Sequence, residues 1–188
     1  HTQLISYLIW FKVNPFLLAG TAISIIIGCS SFRLFMISAY SSAEFTCNLG
    51  LNFFSFHAGF KKKREDLLIV VFDTPVPVAS VYSKTSTPSA PIIWDKKYNK
   101  GFCKVLIVNA GNANAHTGMR GIKVINNYVK SAAKKFNCSI NHILVSSTGV
   151  IGEQLDANKI INQYPLIKDS NNKNILSAAK AIMTTDTF

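Results

Sequence analysis

Short apolar runs alternate along the chain with longer stretches in which apolar residues recur every three or four positions. The segment "DLLIVVFD" (66–73) is a β-branched run with polar ends and predicts a buried strand. "VASVYS" (78–83) predicts a short second strand, set apart from the first by a turn at Pro75 and Pro77. A loop rich in Ser, Thr and Pro follows, from Lys84 to Pro91. "KVLIVN" (104–109) and "HILVSS" (142–147) predict a third and a fourth strand. Between these two, Ile122, Ile125, Val129, Ala132 or Ala133, and Phe136 fall on one stripe, with Lys123, Lys130 and Lys134 outside it. That is an amphipathic helix, with Asn137 at its end. A shorter helix is expected over 157–163, stopping before Pro165. A last helix is expected over 174–183, with Ile175, Leu176, Ala179, Ile182 and Met183 on its apolar side. Strands alternating with helices predict an α/β fold with helices packed on a sheet.

The first sixty residues have a different texture. Their charged groups are Lys12, Arg33 and Glu44, and Val13–Phe32 carries none. By length and apolarity that stretch reads as a membrane span or the core of a signal peptide. Small residues from Ser38 to Ala43 loosely suit a cleavage region. The expected division is therefore residues 1–50, foreign to the fold or a targeting or membrane segment, and residues 51–188, the α/β domain.

Composition narrows the class. A chain of 188 residues with 48% hydrophobic and 15% charged residues can bury a real core. Its net charge of +11 raises nucleic acid as a partner. However, the densest run, Lys61–Arg64, is followed at once by Glu65 and Asp66, and Lys130, Lys134 and Lys135 are spread along a helix. A solvated basic face and no nucleic-acid partner is the reading adopted. Cys29, Cys47, Cys103 and Cys138 form no C-x-x-C pair and no H-E-x-x-H segment is present, which argues against zinc and for free thiols.

Two strand ends could carry chemistry. In "VLIVNAGNANAHTG" (105–118), small polar residues lead from a strand into the amphipathic helix, where phosphate-binding loops sit. Gly111 and Gly118 are spaced too widely for a P-loop, and Met119 and Arg120 stand where Lys and Ser/Thr are needed. The G-x-G-x-x-G pattern also fails at Asn112 and Ala113. What remains is a turn built on Asn109, Asn112 and Asn114, whose amides can bond nearby backbone and tolerate left-handed conformations. Its expected role is to support a neighbouring loop, with His116 a bystander outside the site. The second end is "HILVSSTGVIGEQL" (142–155), where an apolar run breaks into Ser146, Ser147, Thr148 and Gly149, with Gly152 beyond. Such a crowding of hydroxyls and glycines either holds a substrate or makes a turn.

These segments, with "AGFKKKREDLLIV" (58–70), "ASVYSKTSTPSAPIIW" (79–94) and "AIMTTDTF" (181–188), stand in the order and spacing of the ornithine acetyltransferases, the glutamate N-acetyltransferases of arginine biosynthesis. The chain resembles that family over roughly residues 56–188. The resemblance implies an α/β fold with mixed sheets and packed helices, like that of the self-cleaving ornithine acetyltransferases and DmpA-like aminopeptidases. It implies transfer of an acetyl group from N-acetylornithine to glutamate by a ping-pong route through an acetyl-threonine. No cofactor is needed for this, with acetyl-CoA as an alternative donor. By similarity Thr148 and Gly149 correspond to the pair that stabilises the oxyanion, and Thr184 to a substrate-binding threonine. Ser146, Ser147 and Gly152 are expected to shape the turn, so that Ser147→Ala should do little. The nucleophile and the self-cleavage site are expected beyond Phe188. The implied partners are a beta chain from the same precursor, in an alpha2-beta2 oligomer, and the implied location is the cytoplasm, or the mitochondrion in a eukaryote. Two rivals are a non-catalytic, membrane-anchored α/β domain and a related self-cleaving aminopeptidase.

Overall fold

The computed structural model describes residues 50–168 and 175–184, and the backbone of two earlier strands, β1 (Tyr7–Lys12) and β2 (Ala22–Ile27). The rest of the first fifty residues, including most of the apolar stretch, lies outside the described residues. Among the described residues no helix is long and apolar enough to cross a membrane.

Four more strands follow: β3 (Leu51–Phe56), β4 (Leu67–Tyr82), β5 (Phe102–Asn112) and β6 (Ile143–Val150). The sheet runs β2-β1-β4-β5-β6, and β3 pairs with β4 as well. All of these pairs are antiparallel except β5 with β6. Helices α1 (Ala90–Tyr98), α2 (Gly118–Lys135), α3 (Ala157–Ile161) and α4 (Ile175–Ile182) complete the described elements, with two short 3-10 turns. Helix α2 is the crossover between the parallel strands β5 and β6, which cannot be joined by a tight turn.

The central strands are covered on both faces, which is why their sequences are continuous apolar runs rather than alternations. One face carries Leu68, Val70, Leu106, Val108 and Leu144 and is covered by Ala178, Ala181 and Ile182 of α4. The other carries Leu67, Ile69, Val105, Ile107 and Val145 and is covered by Ile125, Tyr128, Val129 and Ala132 of α2 and Ile160 of α3. The stripe expected on α2 is therefore the packed one. The helix ends as expected: Asn137 takes φ +47°, and the Cys138 N–H reaches back to the Ala133 carbonyl at 3.0 Å, a left-handed terminus that asparagine adopts at low cost.

Three expectations need correction. The turn at Pro75 and Pro77 does not divide two strands. β4 runs through both prolines, and its pairing with β5 shifts register between Val71 and Val76. A proline lacks the N–H that a regular ladder needs, and Pro75 falls in that shift, where the loss is tolerated, while Pro77 pairs with Phe102 at the last step of the β4–β5 ladder. The loop expected from Lys84 ends early, because α1 starts at Ala90 with Pro91 in its first turn, where a proline's missing N–H costs nothing. On α4, Leu176 is 59% exposed, and the buried face is built from Ala178, Ala181 and Ile182. Small alanines let the helix lie close to the sheet, so its inner face is not the one with the largest side chains.

Helix α1 brings a carboxylate against β6. Asp95 is 1% exposed, and its two oxygens lie 3.2 and 3.4 Å from the Val145 N–H. Burial pushes this carboxyl well above the usual carboxylate range, and the Val145 N–H only partly opposes the shift. A raised folded-state pKa means that the folded protein keeps a proton the unfolded chain releases above about pH 4. Stability from this group is complete below that pH and is lost as pH rises through the raised value. Asp95→Asn keeps an acceptor for Val145 and removes the titration. Melting temperatures across pH 4.5–8 should show the wild type losing stability relative to the variant as pH rises. A difference that does not change with pH would show that the buried carboxyl is not protonated in the fold.

Candidate active site

The two strand ends singled out in the sequence lie side by side. In the parallel ladder Asn109 pairs with Ser147, Ala110 with Thr148, Gly111 with Gly149 and Asn112 with Val150. Beyond the ladder the segments stay joined, Ala113 N–H to Val150 O at 2.8 Å and Gly152 N–H to Ala115 O at 2.9 Å. The alanines of the "NAGNANA" segment are thus where a neighbouring backbone comes close.

The asparagine turn is a closed hydrogen-bond network. Asn109 donates to the Asn112 carbonyl at 2.8 Å and accepts from the Ser147 hydroxyl at 2.6 Å. Asn112 donates to the Glu153 carbonyl at 3.1 Å and accepts from the Asn114 N–H at 2.8 Å. Asn114 donates to the Gly121 carbonyl at 3.3 Å and accepts from the Thr117 hydroxyl at 2.8 Å. Each amide uses both its oxygen and its nitrogen on the protein, which is how three buried polar side chains are accommodated without a large desolvation cost. This is the supporting role expected of the turn. Of the three, only Asn114 takes a positive φ, +45°. His116 is exposed, outside this network.

Gly111 and Gly149 are required by closeness. Both have positive φ, +122° and +130°. A Cβ on Gly149 would sit 2.6 Å from the Gly111 oxygen and 2.7 Å from the Asn112 nitrogen. A Cβ on Gly111 would sit 2.8 Å from the Phe60 oxygen. Three backbones, those of the loop before β4, β5 and β6, are therefore stacked at contact distance. Gly152, also at positive φ, has open space around its missing side chain.

Strand alternation sorts the hydroxyls of β6. Leu144 belongs to the α4 face, so Ser146 and Thr148 stand on that face, and Ser147 faces the asparagine network with Val145. Thr148 is partly exposed, and no group among the described residues engages its hydroxyl. The Ser146 hydroxyl is buried and has no hydrogen-bond partner among the described residues. Thr184, at the end of α4, is partly buried on the same side of the sheet as Thr148, and its carbonyl accepts from Arg64 at 2.8 Å. The structure thus brings Thr148, Gly149 and Thr184 to one side of the molecule. Among the described residues no group of three His, Cys, Asp or Glu side chains could hold a metal ion. Sequence reasoning did not find Arg64 or Asp66. Arg64 stood in the run read as a solvated basic face, and Asp66 at the polar end of the strand "DLLIVVFD".

From the sequence, Ser147→Ala is expected to have only a small effect on transfer, to which the bond from its hydroxyl to Asn109 adds a stability cost. Removing the hydroxyl strands the buried Asn109 oxygen, at a cost of about 1–3 kcal/mol. Gly149→Ala should cost more, about 3–5 kcal/mol, from backbone overlap and a disfavoured φ together. Gly152→Ala should cost only about 1 kcal/mol, from its φ alone. Urea unfolding of the three variants checks the order. A Gly149→Ala protein as stable as Gly152→Ala would show that the two strands do not approach as described.

Comparison with known proteins bears on the fold and the family. A profile of the ArgJ family matches residues 52–188. The arginine biosynthesis bifunctional protein ArgJ of Bartonella henselae is 42% identical over 142 residues, covering 74% of this chain and 35% of that protein. The same protein of Bradyrhizobium diazoefficiens is 44% identical over 142 residues, covering 74% and 34%. The chain therefore spans about a third of the length of these relatives. Among solved structures, ArgJ of Bacillus halodurans shares 33% identity with a TM-score of 0.66 over 74% of each chain. The ornithine acetyltransferase of Mycobacterium tuberculosis, solved in complex with ornithine, shares 26% identity and a TM-score of 0.66, over 74% of this chain and 78% of that one. The mixed α/β fold is thus that of the solved ArgJ structures, and the chain belongs to the ArgJ family.

Proposed function

We propose that this chain is the oxyanion-stabilising part of a glutamate N-acetyltransferase that moves an acetyl group from N-acetylornithine to glutamate. The observation that carries the reading is the end of β6. Thr148 offers a hydroxyl unengaged among the described residues, from a strand whose position is held by glycine contact and by the asparagine network.

The chemistry has two halves. A threonine hydroxyl attacks the acetyl carbonyl of N-acetylornithine, and its proton ends on the departing amine. Breakage of the C–N bond releases ornithine and leaves an acetyl ester. The α-amine of glutamate then attacks that ester, the threonine oxygen leaves and regains a proton, and N-acetylglutamate departs. In this reading the nucleophile is an N-terminal threonine, freed by self-cleavage downstream of Phe188, whose own α-amine serves as base. No cofactor enters, because the acetyl group waits on the enzyme, and acetyl-CoA is an alternative donor to the same threonine. The downstream segment is the beta chain, paired with this one in an alpha2-beta2 assembly.

Both halves pass through a tetrahedral intermediate with negative charge on the former carbonyl oxygen. The role proposed for the Thr148 hydroxyl and the Gly149 N–H is to donate to that oxygen, and Gly149 leaves its N–H uncovered by any side chain. Donors fixed before the reaction cost no reorganisation during it. Thr184 is proposed to bind substrate.

Thr148→Ala in the full-length gene product should lower kcat roughly a hundredfold or more with a smaller change in KM, since the lost bond acts mainly in the transition state. Steady-state kinetics and a parallel melting curve measure it. Near-normal turnover, or a loss that only follows unfolding, would return Thr148 to the turn.

A further inference from the structure

The basic run Lys61–Arg64 reads in sequence as a solvated face, and Lys62 and Lys63 are indeed exposed. Arg64 is exposed too and Lys61 is partly buried, but both of their side chains reach the end of α4. The Lys61 ammonium donates to the Met183 carbonyl. The Arg64 guanidinium donates to the same carbonyl at 2.9 Å and to the Thr184 carbonyl at 2.8 Å. These carbonyls follow directly on α4, at the end where the helix dipole favours positive charge. Two cations from another part of the chain thus hold the end of a helix of eight residues. A helix so short is marginal by itself and depends on such tertiary contacts.

The loop that supplies them is itself fixed. The buried Asp66 carboxylate accepts from the Ala58 N–H at 2.6 Å and the Lys61 N–H at 2.7 Å. The Asp66 carbonyl accepts from the Ala110 N–H at 2.7 Å, on β5. His57 Nδ1 bonds the Arg64 carbonyl at 2.9 Å, and Lys159 donates to the Gly59 carbonyl at 2.7 Å. At its centre Phe60 lies against Gly111, which in turn lies against Gly149. A single loop therefore links the two halves of the candidate site. Its Phe60 backbone lies against Gly111, the neighbour of Gly149, and its side chains hold the Met183 and Thr184 carbonyls.

We infer that Lys61 and Arg64 are positioning residues, which set Thr184 at a fixed place relative to Thr148 and Gly149 by holding the end of α4. This rests on the proposed role of Thr184 in binding substrate. Positive charge alone would also draw an anionic substrate toward the site, but steering would be shared by Lys62 and Lys63 on the same run. Positioning belongs to the two residues that make the bonds.

The test uses the full-length gene product and two readouts. Hydrogen exchange of the backbone at 178–184 reads the cap itself, and Arg64→Ala should speed it while the melting temperature of the whole protein changes little. Steady-state kinetics reads the consequence. Arg64→Ala should raise KM for N-acetylornithine about tenfold, the scale of one lost charge-assisted hydrogen bond, with kcat within about threefold. Arg64→Lys should recover part of the loss, and Lys62→Ala should leave KM unchanged. Thr184→Ala should raise KM as well, and Arg64→Ala should add little on top of it, because both act through one contact. Arg64→Gln serves in place of the alanine variant if that one does not fold. Unchanged exchange at 178–184, or KM effects of Arg64→Ala and Lys62→Ala that are equal and vanish together in high salt, would overturn the inference. A normal KM in Thr184→Ala would instead remove the role of Thr184, and the inference with it, and that pattern differs from the other two.

Discussion

The structure around the candidate site depends on one close approach, that of the Gly149 backbone to the Gly111 backbone across the parallel strands β5 and β6. No side chain fits between them. Phe60 closes on Gly111 from the far side with as little room to spare. Stacking three backbones in this way removes the soft side-chain layer that normally lets neighbouring elements shift, so the strand end carrying Thr148 inherits the rigidity of the sheet. Rigidity is what a hydrogen-bond donor needs if it is to act on a transition state, because a donor that must be reoriented during the reaction gives back part of what it contributes.

Such an approach leaves no apolar filling at the ends of the strands, and the fold compensates with amides. Asn109, Asn112 and Asn114 are all buried, and each satisfies its own donor and acceptor with backbone, another asparagine or a hydroxyl. A fully satisfied network in a low-dielectric setting holds its geometry more firmly than the same bonds would in water. Ser147 faces this network while Thr148 faces the other side of the sheet. Adjacent hydroxyls in one strand therefore have different surroundings, one inside the network and one partly exposed.

Much of this was readable from the amino acids alone. The central strands announced themselves as continuous β-branched runs, and α2 by a stripe that packs on the sheet. The asparagine turn was correctly taken as support, since short amides among alanines have few other uses. What escaped notice had local signals that were weak or misleading. Helix α1 has a proline in its first turn, after a Ser/Thr/Pro stretch, and has hardly any one-sided pattern, because it sits at the sheet edge, with Ile92 in one core and Trp94 in the other. β4 hid its length behind two prolines. β3 lay within a stretch read as part of the apolar N-terminal texture. Arg64 could not have been found by periodicity, because its partners lie 119 and 120 residues away and are carbonyl oxygens, which every residue has.

The central claim is a division of labour: residues 51–188 hold the developing charge, while the group that carries the acetyl lies elsewhere in the gene product. The most direct measurement is to incubate the full-length gene product with N-acetylornithine, quench in acid, and locate the acetyl group by peptide mass spectrometry. The account predicts one acetyl ester, on a threonine that forms a new N-terminus downstream of Phe188, and lost when glutamate is added before the quench. An acetyl ester on Thr148, Thr184 or any other residue of this chain, or transfer to glutamate with no covalent acetyl intermediate, would contradict it.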